Sequence, residues 1–232
     1  MPGRNHQFQE GSYYHIYDKT IDGRRPFESA RNAEIFLRMM WYYRAEDIGI
    51  RHSRFIALRE ELQAIYNPAI EDPAKRQVQI LAYCLMPTHY HLLIKEKMKG
   101  GISAYMSKLQ NAFTRFYNTK LRRSGQIFLG HFKSKPLTSE DMFRHVARYI
   151  HLNPYSSGIV ENTDELVSYP LSSLREHTIG EETNTRPITD FELLLDFFGG
   201  DNDRYIRFVL DNAEHQKTLE YCKYINKLFS NK

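Results

Sequence analysis

Cysteine is scarce in this sequence, with only Cys84 and Cys222 among 232 residues. Their spacing matches neither a metal knuckle nor a redox pair, and two distant thiols make no disulfide framework. That excludes a disulfide-stapled secreted scaffold and points to a reducing, cytoplasmic setting. Long apolar runs are missing too. No stretch approaches the roughly 20 apolar residues needed to span a bilayer, so no membrane partner is expected. The opening MPGRNHQFQEGS contains no apolar stretch of the kind a secretory signal requires. Internal repeats and low-complexity tracts are absent. Acidic residues are missing from one region in particular. Between Lys95 and Lys135, ten Lys or Arg stand against a single acid, Glu96; from Glu161 onward, fourteen acids face eight Lys or Arg. The formal net charge of +4 conceals this division into a basic middle and an acidic tail.

What is plentiful is aromatic: 16 Tyr and 14 Phe within a 41% hydrophobic composition, ample for a core. The length fits one domain with elaborations. The basic block interleaves its cations with Tyr105, Phe113, Phe116, Tyr117, Phe128 and Phe132. Cations suit a phosphate backbone and aromatic rings suit stacked bases. The plainer reading of such a block is a solvated surface.

The pattern of elements is legible along the chain. SYYHIYDK (12–19) reads as a strand and EIFLRMMWYYRA (34–45) as a helix. FIALREELQAIY reads as a second helix ahead of a turn-rich break, NPAIEDPAK (67–75). VQILAYCLM (78–86) is a buried strand, and Pro87 and Thr88 introduce another. Gly100-Gly101 opens a long amphipathic helix whose apolar residues, Ile102, Met106, Leu109, Phe113 and Phe116, recur at helical spacing until near Arg123. IFLGHFKSKPL (127–137) is a further strand, and a capping box at Thr138 and Asp141 starts a helix near Ser139 that ends before Pro154. The resulting order predicts an α+β fold: a ferredoxin-like or RRM-like antiparallel sheet with helices packed on one face and the other face free. Residues 1–177 form this domain. A polar linker, GEETNTRP (180–187), leads into a small helical C-terminal extension over 178–232.

The chemistry concentrates in LAYCLMPTHYHLLIKE (81–96). Strand side chains alternate, so Tyr90, Leu92 and Ile94 share one face while His89 and His91 stand together on the other. Two neutral imidazoles at this spacing can reach one divalent ion, which wants further ligands from elsewhere in the fold. They can also be an idle surface pair. The helix after 139 offers His145, Tyr149 and Asn153 as one stripe beside a buried face of Met142, Phe143, Val146, Ala147 and Ile150. Taken alone, Tyr149 reads equally as an amphipathic core residue and Asn153 as a cap before Pro154.

Together, YCLMPTHYHLL and the later RYIHLNP (148–154) resemble the HUH single-tyrosine transposases, and within them the REP-associated tyrosine transposases. The resemblance takes in YYHIYDKTIDGRRPF, GQIFLGHFKSKPL and SYPLSSL, spanning residues 12 to 175. Thr88 departs from it, since relatives more often have Asn before the first histidine. The resemblance implies that His89, His91 and Asn153 hold a divalent metal ion, Mg²⁺ or Mn²⁺, with Mn²⁺ the softer match for imidazoles. Tyr149 is then the nucleophile that cleaves single-stranded DNA beside a hairpin, leaving a 5′-phosphotyrosine and a free 3′-OH. Assistance from His15 or His151 is left open. Arg115, Lys120, Arg122, Arg123, Lys133 and Lys135 are the expected phosphate contacts, and the acidic tail is expected to compete with DNA or fold over the basic groove. Such an enzyme would work at the nucleoid in the cytoplasm, as a monomer or a homodimer. Two other readings compete: a non-catalytic single-stranded nucleic-acid-binding module on an RRM-like sheet, and a rolling-circle replication initiator.

Overall fold

The computed structural model describes residues 6–178 and 187–230; the linker expected at 180–187 lies almost wholly outside them. Four strands form one antiparallel sheet: β1 (Tyr13–Lys19), β2 (Val78–Met86), β3 (His89–Glu96) and β4 (Lys133–Leu137), in the order β2-β3-β1-β4. This is the ferredoxin-like arrangement the sequence predicts. Between the strands run α1 (Ala30–Tyr43), α2 (His52–Phe55), α3 (Glu60–Glu71) and α4 (Gly101–Lys120). After β4 come α5 (Glu140–Ser156), α6 (Thr163–Ser168), α7 (Leu174–Thr178), α8 (Phe191–Leu195), α9 (Asn202–Leu210) and α10 (Ala213–Ser230). No described helix is long and apolar enough to cross a membrane.

Strand alternation sends side chains to two separate cores. Tyr14, Ile16, Tyr90, Leu92 and Ile94 face α1 and α4, where Phe36, Met40, Tyr105, Leu109 and Phe113 complete the first core. On the other face Ala82, Cys84, Met86 and Leu93 meet Phe143, Ala147 and Ile150 of α5. A bulge between Ile80 and Ala82 makes the switch of parity possible: Ile80 faces the first core before it, Tyr83 and Leu85 after it. The second face is therefore not free. Helix α5 covers it over β2 and β3, and Leu194, Leu195, Phe198, Tyr205 and Val209 of the C-terminal segment close the same core. The segment beyond 187 packs on α5 and β2, not over the basic helix α4.

Local chemistry explains where elements start and stop. Glu96, the one acid of the basic block, is fully buried; its carboxylate accepts from the amides of Gly100 (2.7 Å) and Ile102 (3.0 Å) at the start of α4. A carboxylate there satisfies amides that the helix itself leaves unpaired. Ser139 caps α5 by accepting from the Met142 amide at 3.2 Å. The helix then runs through Pro154 to Ser156, past the predicted end. A proline this near the C-terminus forfeits one bond, and Gly158 at φ 72° closes the end with its amide on the Tyr155 carbonyl at 3.1 Å. Helix α3 likewise continues through Pro68, while the helix predicted from Phe55 is broken into α2 and α3. Only Lys133–Leu137 of the strand predicted at 127–137 is regular. Before it, Ile127, Phe128 and Phe132 plug the first core around Gly130, whose φ of 111° a ladder does not accept.

Candidate active site

The site forms where β1, β3 and α5 meet on the second face. His91 lies opposite Tyr17 on β1 and Cys84 on β2, and His89 lies opposite Lys19 and Met86. Cross-strand partners share a face, so register alone sets His15, Tyr17 and the histidine pair side by side. His15 Nε2 and His91 Nδ1 are 2.9 Å apart, a hydrogen bond buried between adjacent strands. The His89 and His91 rings stand edge to face at 5.1 Å between centroids. From α5, the half-buried Tyr149 sets its ring against His91 at 5.4 Å and His15 at 5.9 Å. One turn on, Asn153 donates its amide nitrogen to the Tyr149 carbonyl at 2.7 Å, which turns the amide oxygen the other way.

The electrostatics follow from burial. Burial, with Lys135 nearby, lowers His15 to about 4; burial, with Lys19, lowers His89 to about 4. His91 is driven well below the ordinary histidine range by burial and then by the neighbouring imidazoles. All three are neutral at physiological pH. The Tyr149 phenol is raised, first by burial and then by the Glu220 carboxylate on α10, with the Asn153 amide acting in the opposite sense. Helix α10 also reaches the site through Gln216, which donates to the Tyr149 carbonyl at 3.3 Å.

The donor set fits a divalent cation. Each histidine of the pair has its Nδ1 occupied, His89 by Thr88 Oγ1 at 3.0 Å and His91 by His15. This leaves Nε2 of each ring as the nitrogen to offer, in the neutral form a metal requires. Among the described residues no cluster of three or more His, Cys, Asp or Glu is placed to hold a metal. Further ligands would have to come from outside that set, and the Asn153 amide oxygen, water and a phosphate oxygen are of the right chemistry.

Family comparison matches residues 50–153 to "Transposase IS200 like", a span that contains His89, His91 and Tyr149 and closes on Asn153. Over this span the chain is similar to that transposase family. A solved structure of a REP-associated tyrosine transposase bound to a REP hairpin shares the fold of this chain, with a TM-score of 0.52 and 15% identity. The overlap covers 81% of this chain and 90% of that one. No curated protein matches the chain.

The structure divides the residues that sequence reasoning grouped. It brings together His89, His91, Tyr149 and Asn153, and it adds His15. His151 is elsewhere: fully buried, it bonds Ser173 Oγ at 2.8 Å and Tyr205 at 2.6 Å, a packing role. Of the six expected phosphate contacts, Lys133 and Lys135 pair with Tyr17 and His15 and share the site's face. Arg115 and Lys120 are on α4, against the opposite face, where Lys120 Nζ bonds Asn32 at 2.7 Å. Arg122 and Arg123 follow the same helix, and Arg123 is tied to Asn118 at 2.6 Å. The six do not form one cradle. Sequence reasoning missed Tyr17, Thr88 and the approach of Gln216 and Glu220. For Tyr17 the alternation YYHIY was the available signal; for the α10 residues there was none.

Proposed function

We propose that this chain nicks and rejoins single-stranded DNA at hairpin-flanked sites through a covalent Tyr149 intermediate, with a divalent ion held by His89, His91 and Asn153. The observation that carries the reading is Tyr149 on α5 facing the His91 and His15 rings across the sheet. The Tyr149 oxygen forms a bond to phosphorus and gives its proton to solvent, while the bond to the 3′ oxygen breaks and that oxygen takes up a proton from solvent to leave as a 3′-OH. Attack by a 3′-OH on the phosphotyrosine reverses the exchange and joins a strand. When bound, Mg²⁺ or Mn²⁺ polarises the scissile phosphate and offsets charge gathering on its oxygens. The chain supplies the rest: the sheet and α5 fix the distance between nucleophile and imidazoles, and burial keeps the imidazoles neutral. Lys133 and Lys135 meet the DNA backbone on the same face, while Arg115, Lys120, Arg122 and Arg123 hold DNA passing over α4. Because Tyr149 sits at its own chain's histidines, the reading is cleavage in cis. A DNA substrate of this kind places the protein at the nucleoid.

The competing module that reads bases on an open sheet has less support, because α5 covers β2 and β3. The test is a hairpin-tailed single-stranded DNA incubated with Mn²⁺ or Mg²⁺. Wild-type protein forms a covalent adduct visible on a denaturing gel, whereas Tyr149→Phe binds the DNA and forms none. Adduct in the Phe variant defeats the nucleophile; binding without adduct in wild type favours the module.

A further inference from the structure

On the far side of the first core, α1, α4 and the segment leading into α2 enclose a cleft of about 780 Å³. That size is ordinary for a small-molecule or single-nucleotide site. Its walls include Tyr42, Tyr43, Ile50 and Phe116, and Arg51 and Arg115 stand among its lining residues. Both arginines are exposed, and neither guanidinium has a hydrogen bond or ion pair with a described residue. Both are close enough to the Tyr43 phenol to act on its ionisation. Lys108 and Lys120 add positive charge against two lining acids, Glu46 and Asp47; the Asp47 carboxylate is occupied by the Gly49 amide at 2.8 Å. The lining also includes His52, only 1% exposed, whose Nδ1 has no hydrogen-bond partner.

An occupant must therefore be flat, partly apolar, able to hydrogen-bond, and anionic at one end. We propose that the cleft binds an unpaired nucleobase of the DNA strand, stacked among Tyr43 and Phe116 with its phosphate between Arg51 and Arg115. A base inside a duplex cannot enter a concavity between helices; an unpaired one can, and its π-face stacks on aromatic rings whatever its identity. This inference rests on the DNA reading above and gives α4 a task separate from cleavage: holding single-stranded DNA next to the hairpin while Tyr149 works on the opposite face.

The experiment uses the full chain carrying Tyr149→Phe, so that bound DNA stays intact. Fluorescence anisotropy measures affinity for two hairpins of one sequence, one blunt and one with a short unpaired overhang. Two further changes enter that background, Arg51→Ala with Arg115→Ala, and Ser107→Trp to fill the cleft from an exposed position, each checked by circular dichroism. The parent protein should prefer the overhang hairpin. Both changes should weaken binding of the overhang hairpin about tenfold more than binding of the blunt one, the difference expected for one stacked base. Equal loss on both hairpins would reduce the arginines to backbone contacts and overturn the proposal, as would no loss on either. If the unmodified chain binds neither hairpin and forms no adduct, the DNA reading itself has failed, a result distinct from binding that ignores the cleft.

Discussion

A neutral imidazole offers a cation one lone pair, and that lone pair is useful only when the ring is held in the right orientation. At His91 the hold is the bond from Nδ1 to His15, and at His89 it is Thr88 Oγ1. Such outer partners typically contribute 10–100-fold to metal affinity. His15→Phe keeps the ring volume near His91 but removes the acceptor. Its expected effect is a drop of that size in Mn²⁺ affinity, read by electron paramagnetic resonance, with circular dichroism unchanged. An unaltered Mn²⁺ affinity would reduce His15 to a packing residue. The same scale accounts for His151, which sits two residues from Tyr149 but lies on the helix side that packs on Ser173 and Tyr205.

At the scale of elements, the helices on the two faces of the sheet are each set by close contacts. Helix α4 starts where Gly101 abuts the sheet entry: a Cβ on Gly101 would fall 2.2 Å from the Gln77 carbonyl oxygen. That oxygen belongs to backbone and cannot swing aside. It also accepts from the amides of Lys97 and Met98, so displacing it disturbs the end of β3 as well. Gly101→Ala is therefore expected to destabilise the protein by roughly 1–3 kcal/mol despite alanine's better helix propensity. A urea denaturation midpoint equal to wild type would contradict this. Helix α5 presents Phe143, Ala147 and Ile150 to the sheet, and this buried stripe fixes the rotation that turns Tyr149 toward the histidines.

For the whole molecule, the C-terminal segment completes a core. Leu194, Leu195, Phe198, Tyr205 and Val209 are buried against α5 and β2. Each such apolar side chain contributes roughly 1.5–3 kcal/mol through burial, so together they approach the whole stability of a typical domain, about 5–15 kcal/mol. Truncation at residue 180 should leave a chain that melts far below wild type, or not cooperatively, and binds a hydrophobic dye. A truncated protein with a native melting curve would contradict this. Acid stability tests the molecule at the same scale. Burial lowers His52 and His177 to about 4 and holds His151 well below the ordinary histidine range. Above pH 6.5 these groups are neutral whether folded or unfolded, and their contribution is complete. As the pH falls from about 6.5 towards 4, the unfolded chain takes up protons that the folded chain refuses, so stability falls. A single histidine with that shift accounts for roughly 3 kcal/mol across the window. Urea denaturation at pH 7.5, 6 and 5 should show this decline, and His52→Phe should make it shallower by one histidine's share.

The sequence by itself determined the local facts: the alternation that separates His89 and His91 from Tyr90, the 3.6-residue stripe of α4, the Ser139 start of α5, and the sheet's strand order through its element sequence. These are properties of neighbours in the chain, set by backbone geometry and side-chain direction. The motifs YCLMPTHYHLL and RYIHLNP also carried the resemblance to the tyrosine transposases, because that signature is itself local. Only the tertiary structure decided that His15 bonds His91, that α5 and the C-terminal segment cover the second face, and that the basic residues fall on two sides of the molecule. Each of these depends on strand register or on which face a distant helix takes. One sequence leaves both open, because a strand shifted by a residue, or a helix laid on the other face, changes no local pattern. Packing of two cores against one sheet removes that freedom.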